Sequence, residues 1–300
     1  MIHKMKLKES PFYRIKDGSK EIEFRLFDEK RQQIKVGDKI EFSKLPELEE
    51  KLVVDVLDLY RANSFEELFL RIYNDKKEAE DKAEIMRAFY SEKEEQKYGV
   101  IGIKVKINTD NILKSIENYE PFNEQEEVEK KIMLKYLKES NNILTRNNEM
   151  AHFTSSAFVF NKEHTKILMA YHKIYDSWGW VGGHSDGDND LLYVAMKEAM
   201  EETGVTKVKP IYHDIFSLEI INVNGHEKRG KYVASHAHLN VTYLLEADEN
   251  EEIHIKEDEN SGVAWVPIDE VIGKSTEPWV RERIYKKILD KFKIRDGVQF

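Results

Sequence analysis

The chain of 300 residues contains no cysteine. That absence removes disulfides, thiolate metal sites and cysteine nucleophiles together. No apolar run approaches the ~18 residues that a membrane-spanning helix needs. The opening residues Met1-Ile2-His3-Lys4-Met5-Lys6 alternate apolar and polar positions and lack the apolar stretch of a signal peptide. A cytoplasmic protein with no membrane partner is therefore expected. A surplus of positive charge is missing as well. Positions 1–107 hold 23 of the 47 basic and 23 of the 57 acidic residues, so the remaining 24 basic and 34 acidic residues carry the whole net charge of −10. A bulk electrostatic grip on duplex nucleic acid is not expected from such a balance. Only residues 1–44, with 12 basic and 8 acidic side chains, leave room for a local basic groove.

What is present suffices for two ordinary domains, each with its own core. In the first stretch, 2–7, 21–27, 39–42, 52–60 and 99–107 read as strands. A short helix follows Ser10-Pro11, Ser64 caps a helix with Glu67 at capping-box spacing, and a charged helix covers about 76–96. This is an α+β domain with a mostly antiparallel sheet, over residues 1–107. Residues 108–122, punctuated by Asn108-Thr109-Asp110 and Pro121, read as a connector. Asn123 with Glu126 signals a helix to about Glu139 and opens a second, α/β domain over 123–300. Its strands are expected at 152–160, 165–171, 178–182, 211–223, 231–246 and 262–266. Its clearest helix covers 191–203, and a last one runs from about 277 to 293. The composition leaves a dimer open.

The helix at 191–203 is hard to justify by structure alone. Leu192, Ala195, Met196, Ala199 and Met200 supply an apolar stripe, and Gly204 stands where a left-handed C-terminal residue belongs. Yet Glu198, Glu201 and Glu202 share one face in its last two turns, where like charges repel and the helix dipole is also negative. Each effect costs only about 0.2–1 kcal/mol on a surface, and solvated acidic faces are common. A divalent cation would offset all of them. The residues before the helix favour that reading, because Trp178-Gly-Trp180-Val-Gly182-Gly183 is a strand running into a Gly-rich loop.

Read onward, Gly183-x5-Asn189-x7-Lys197-Glu198-Ala199-x-Glu201-Glu202-x-Gly204-Val205 resembles the Nudix box, G-x5-E-x7-R-E-U-x-E-E-x-G-U, with U a bulky aliphatic. The flanking segments 166–180 and 261–268 agree with the strands of that family, and the resemblance covers about 110–295. It departs at Asn189, beside which Asp188 could substitute, at Lys197, which keeps the charge but not the planar fork of arginine, and at the small Ala199. The motif Asp186-x-Asp188-x-Asp190 fails as a calcium loop, having Leu191 and Lys197 where glycine and glutamate are required. Isopentenyl-diphosphate isomerases share the Nudix fold but use a cysteine.

The resemblance implies an α/β/α sandwich that hydrolyses a phosphoanhydride in a nucleotide-type substrate with Mg²⁺, or Mn²⁺. Glu198, Glu201, Glu202 and the Gly182 carbonyl are the implied metal ligands. Glu198, Glu201, Lys197 and a later carboxylate, Glu257 or Glu259, are the implied catalytic groups. Gly183 and His184 are placed to meet a phosphate. A nucleotide-sensing domain without catalysis is the alternative. His236 and His238 share a strand face, but spacing supplies no third ligand, so polar packing or substrate contact is favoured over metal.

In the first domain, Gly18-Ser-Lys20-Glu-Ile-Glu23-Phe-Arg25 matches the G-x-K-x-x-E-x-R signature of the ASCH domain, a relative of the PUA-like β-barrel fold. Lys20, Glu23 and Arg25 form a compact cluster of alternating charge. The resemblance implies binding of RNA or a modified nucleoside, or acid–base chemistry by Lys20 and Glu23. A purely structural ion-pair network weighs equally. Tyr90, Glu92 and Glu94 are candidate contributors.

Overall fold

Leu52, Val54 and Val56 alternate with more exposed residues, and this period-two run forms the longest strand of the N-terminal unit. The computed structural model describes every residue except Asn141, Tyr175, Arg229 and 298–300, and the side chains of Lys228 and Asp296. The chain divides into two compact units, Met1–Asn108 and Thr109–Phe300.

The first unit contains strands β1 (Ile2–Leu7), β2 (Ile22–Leu26), β3 (Lys39–Lys44), β4 (Lys51–Ala62) and β5 (Val100–Ile107). Its helices are α1 (Glu9–Lys16), α2 (Phe65–Tyr73), α3 (Lys76–Arg87) and α4 (Glu92–Tyr98). The strands form one curled half-barrel sheet in the order β1-β3-β4-β5-β2, antiparallel except for the β1–β3 pair. Phe65, Leu68 and Phe69 of α2 and Ala79 and Ala83 of α3 pack with Leu26 and Val100. The charged span expected as one helix over 76–96 is two. Ser91 accepts from the Glu94 amide while Glu94 returns to the Ser91 amide, a capping box that starts a new helix after the break at Ala88–Tyr90.

In the second unit, the stretch read as a connector carries helix α5 (Asp110–Asn118), because Ile112 and Ile116 are one turn apart and both bury. Helix α6 (Glu124–Glu139) is capped by Asn123, which accepts from the Glu126 amide. There follow β6 (Ala151–Phe160), β7 (Lys166–His172), β8 (Ser177–Gly179), β9 (Val181–His184), α7 (Leu191–Thr203), β10 (Val208–Pro210), β11 (Ser217–Val223), β12 (His226–Lys228) and β13 (Lys231–Val233). Then come β14 (His236–Ala247), β15 (Asn260–Pro267), the short α8 (Val271–Lys274) and α9 (Pro278–Val280), a π-helical turn over Arg281–Tyr285, and α10 (Lys286–Asp296). The main sheet runs β10-β14-β6-β7-β15, with β11 on β14, β8 on β7 and β9 on β6. Strands β6 and β14 are parallel at its centre, in the register His152↔His238 and Thr154↔Asn240.

Strand alternation sends β6 to two different layers. Ser155 faces α7 and donates to the Leu191 carbonyl. Phe158 and Phe160, of opposite parity, pack with Ile284, Ile288 and Phe292 of the C-terminal helical segment. The unit is thus an α/β/α sandwich, with α7 on one face and the C-terminal helix on the other.

Candidate active site

The glutamate-bearing helix forms where the sequence requires it. Asp190 caps α7 by accepting the Tyr193 amide, and Gly204 ends it in the left-handed region at φ 80°. A Cβ on Gly204 would come within 2.4 Å of the His254 ring. That close approach belongs to a loop, 254–260, clamped onto the end of α7. The His254 amide donates to the Thr203 carbonyl at 2.9 Å. The fully buried Asn260 donates to the Glu202 carbonyl at 2.9 Å and accepts from the Lys256 amide at 3.1 Å.

The clamp delivers Glu259 to the helix. Oxygens of Glu198, Glu202 and Glu259 all lie within 4.8 Å of one another. Glycine is required at Gly182, where a Cβ would sit 2.6 Å from the Ser155 carbonyl oxygen, and at Gly183 a Cβ would sit 2.5 Å from the Glu198 carboxyl carbon and displace that side chain. Glu202 is 3% exposed. The Gly182 amide bonds its carboxylate, while its Oε2 is buried with no hydrogen-bond partner. Burial, together with the neighbouring Glu198 and Glu259 charges, pushes the Glu202 carboxyl well above the ordinary range. Burial also raises Glu198, against the opposing pull of Lys197 and Lys256.

Two lysines border the group. Lys256 reaches Glu259 at 3.0 Å and Glu201 at 3.7 Å. Lys197 reaches Glu201 at 3.4 Å and Glu198 at 3.9 Å. Glu201 is the exposed bridge between these cations, and the close carboxylate group does not include it. Of the two later candidates it is Glu259 that joins. Glu257 is exposed and contributes its backbone carbonyl to Lys173. Asp188, next to the unusual Asn189, accepts the Asp190 amide at 3.1 Å and so shapes the loop into α7.

His184 follows the glycine pair but points to the other face of the sheet, where it meets His152 and His238. Sequence reasoning singled out His236 and His238 and missed His152. Its signal was its position one residue into β6, which becomes meaningful only once β6 is known to lie in parallel register with β14.

In the first unit Glu23 is 3% exposed and holds two cations, Lys20 at 2.5 Å and Arg25 at 2.7 Å. Arg25 also donates to the Lys6 carbonyl at 3.0 Å and to the Tyr90 hydroxyl at 3.4 Å. Tyr90 therefore joins the cluster. Glu94 serves the α4 cap, and Glu92 approaches Arg87 at 3.9 Å.

The first unit matches the family model of the ASCH domain over residues 5–108, and the second that of the NUDIX domain over 150–290. The chain thus carries an ASCH domain followed by a NUDIX domain. Among solved structures, the hypothetical protein PH0355 is 36% identical over 36% of this chain and 100% of that one, with a TM-score of 0.32. A Pyrococcus furiosus protein solved by NMR is 34% identical over 36% of this chain and 97% of its own, at a TM-score of 0.29. The C. elegans Ap4A hydrolase is 17% identical over 48% of this chain and 97% of its own, at 0.36. No curated protein matches the chain significantly. Among the described residues no helix is long and apolar enough to cross a membrane.

Proposed function

We propose that the Nudix domain hydrolyses a phosphoanhydride in a nucleoside diphosphate-linked substrate, with Mg²⁺ held by Glu198, Glu202 and Glu259. The observation that carries this reading is the buried, unpartnered Glu202 Oε2 inside a group of three carboxylates. A buried carboxylate oxygen without a donor is costly, and an oxygen-rich set of this kind suits a hard divalent cation. Glu201 and the Gly182 carbonyl are the further ligands that the family resemblance implies. When bound, the cation neutralises charge on the diphosphate and lowers the pKa of an attacking water.

The chain's own groups do the rest. Glu259, the most exposed of the three and oriented by Lys256, takes the proton from the water. Lys197 holds Glu198 and Glu201 in place against their mutual repulsion. The absence of a side chain at Gly183 lets the Glu198 carboxylate lie directly against the strand end. The decisive experiment is a panel of nucleoside diphosphate conjugates assayed for phosphate or monophosphate release. Turnover should vanish with chelator and return with Mg²⁺ or Mn²⁺. Nucleotide binding without turnover under any metal would replace this reading with a nucleotide-sensing one.

For the ASCH domain we propose binding of RNA or a modified nucleoside at Lys20, Glu23, Arg25 and Tyr90. Burial of Glu23 between two cations beside an aromatic hydroxyl supports a built site rather than loose surface pairs, which contribute only about 0–1 kcal/mol. In the full chain, Lys20→Ala should weaken that binding, lower the melting temperature because Glu23 keeps only Arg25 as a partner, and leave phosphoanhydride cleavage untouched. A lower melting temperature with no binding by either protein would leave the cluster as structure only.

A further inference from the structure

The face of the central sheet turned away from α7 carries a second group of converging side chains that the hydrolytic reading does not use. Thr154 is paired with His184 and lies two residues beyond His152 in β6, while His152 is paired with His238 in β14. All three histidines therefore share the parity of Phe158 and Phe160, the face that packs on the C-terminal helix, whereas Ser155 of opposite parity touches α7. The glutamate group and the histidine group lie on opposite faces of one sheet.

The three rings sit together, with centroids 5.0 Å apart for His152–His184, 5.1 Å for His152–His238 and 4.8 Å for His184–His238. One ring nitrogen from each lies within 4.8 Å of the others. A fourth imidazole adjoins them, for His236 Nε2 is 3.2 Å from His238 Nε2. Two of the four are oriented by backbone carbonyls. His152 Nδ1 bonds the Asn148 carbonyl at 3.0 Å, and His236 Nδ1 bonds the Ala234 carbonyl at 2.8 Å. In each, Nδ1–H donates, so the Nε2 lone pair is left facing the cluster. Holding one ring nitrogen by a carbonyl is how proteins orient a metal-ligating histidine.

The bland alternative is that the histidines simply bond one another. His238 donating Nε2–H to His236 would account for one contact. It does not account for His152, which is 4% exposed and whose Nε2 has no hydrogen-bond partner. A buried acceptor left without a donor is destabilising, and the His152 ring lies 5.0, 4.9 and 5.1 Å from those of His184, His236 and His238.

We propose that His152, His184 and His238, with His236 as the fourth imidazole, bind a borderline transition-metal cation of the Zn²⁺ class. Neutral nitrogen donors suit Zn²⁺, Ni²⁺ or Cu²⁺ and not Mg²⁺ or Ca²⁺, which require oxygens. In a tetrahedral Zn²⁺ site with bonds of about 2.0–2.1 Å, ligand nitrogens stand roughly 3.3 Å apart, close to the His236–His238 separation, and ring rotation closes the remaining gaps. The ion would tie β6, β9 and β14 at one end of the sheet. Because His184 follows Gly183 directly, it would also pin the strand end that faces Glu198 from the other side.

The test uses the untagged full chain, stripped of metal, titrated with Zn²⁺ in excess Mg²⁺ and followed by elemental analysis after dialysis. Co²⁺ serves as the spectroscopic probe. One Zn²⁺ per chain should be retained, Co²⁺ should give the intense visible bands of a tetrahedral nitrogen site, and Zn²⁺ should raise the melting temperature. His184→Gln, at a partly exposed position, and His152→Asn should each lose at least tenfold in Zn²⁺ affinity and the thermal shift. Glu202→Gln should keep both, which separates this site from the carboxylate group whatever becomes of the hydrolytic reading. The proposal is overturned if the folded wild-type chain retains no Zn²⁺, or if Glu202→Gln abolishes binding while the histidine variants retain it.

Discussion

Two sets of buried carboxylates lie on opposite faces of the Nudix sheet, and they are treated differently. Glu126 and Glu219 are both fully buried, and Lys287, itself buried, reaches them at 2.9 and 3.1 Å. Tyr119 at 2.6 Å, the Phe122 amide at 2.7 Å and Ser217 at 3.0 Å complete Glu126, while Asn240 and Thr242 complete Glu219 at 3.0 and 2.9 Å. Burial alone would raise Glu126, but Lys287, the Tyr119 hydroxyl and the Phe122 amide hold its carboxyl below the ordinary range. Glu202 is equally buried and has the reverse shift, with an oxygen that nothing in the chain bonds. A fold that can satisfy a buried carboxylate so fully on one face leaves another incomplete on the other. This difference is what supports the proposed role of Glu202 as a metal ligand.

The comparison breaks most sharply at Lys287. Lys287→Met keeps most of the apolar stem but leaves Glu219 without its cation and Glu126 with only Lys291, at 4.0 Å, and loss of one partner of a buried pair costs about 3–5 kcal/mol. Chemical denaturation should show a fall of that order, partly recovered when Glu126→Gln is added. An unchanged denaturation midpoint would mean that the network is not the support described here.

Glu202→Gln should do the opposite. It removes a buried charge that repels Glu198 and Glu259, so the metal-free protein should melt no lower than wild type. Hydrolysis should nevertheless fall by about 100-fold, the usual scale for removing a metal ligand or a charged group at the reacting centre. Full turnover in this variant would sink the metal assignment.

Lys197 should show a smaller effect, since it reaches the carboxylates only from a half-exposed position, 3.4 Å from Glu201. Lys197→Ala should lower kcat roughly tenfold, equivalent to about 1.4 kcal/mol of transition-state stabilisation, while Lys197→Arg should keep or raise it. Equal turnover in all three proteins would reduce the residue to a solvated helix charge.

Much of this was legible in local sequence. Helix 191–203, its cap at Gly204 and the i, i+3, i+4 glutamates follow from short-range spacing, and the structure has that helix over the same residues. Where contacts are long-range, the reading thinned. Nothing near Glu257 and Glu259 tells which of them meets α7; that depends on Asn260 bonding Glu202, 58 positions away. The histidines showed only as the pair His236 and His238, because their companions arrive through the parallel β6–β14 pairing and the β6–β9 hairpin. Glu126 read, with Asn123, as a helix-start signal. Its side chain instead turns inward to Tyr119 and Lys287, which local spacing cannot show. The charged run 76–96 concealed its break for a different reason: helical propensity is high on both sides, and only the Ser91–Glu94 capping box divides it.

The finest test concerns Glu129, one turn of α6 beyond Glu126 and lacking its full set of partners. Burial pushes its carboxyl up to about 7, only partly opposed by Lys287 and the Gln125 side chain. Because the folded value lies above the ordinary 4.5, the native state binds this proton more tightly than the unfolded chain does. Its contribution to stability is therefore fully present below pH 4.5 and is lost as pH rises through about 7. Glu129→Gln mimics the protonated form at every pH. Its stability should equal wild type in acid, exceed it progressively through the neutral range, and hold a constant advantage above that. Partial solvent access limits the gain to roughly 1–2 kcal/mol. Melting curves of the two proteins from pH 4 to 9 read this directly. A difference that is flat with pH would show Glu129 to be as well compensated as Glu126, and a difference of opposite sign would show that its charge is needed near Lys287.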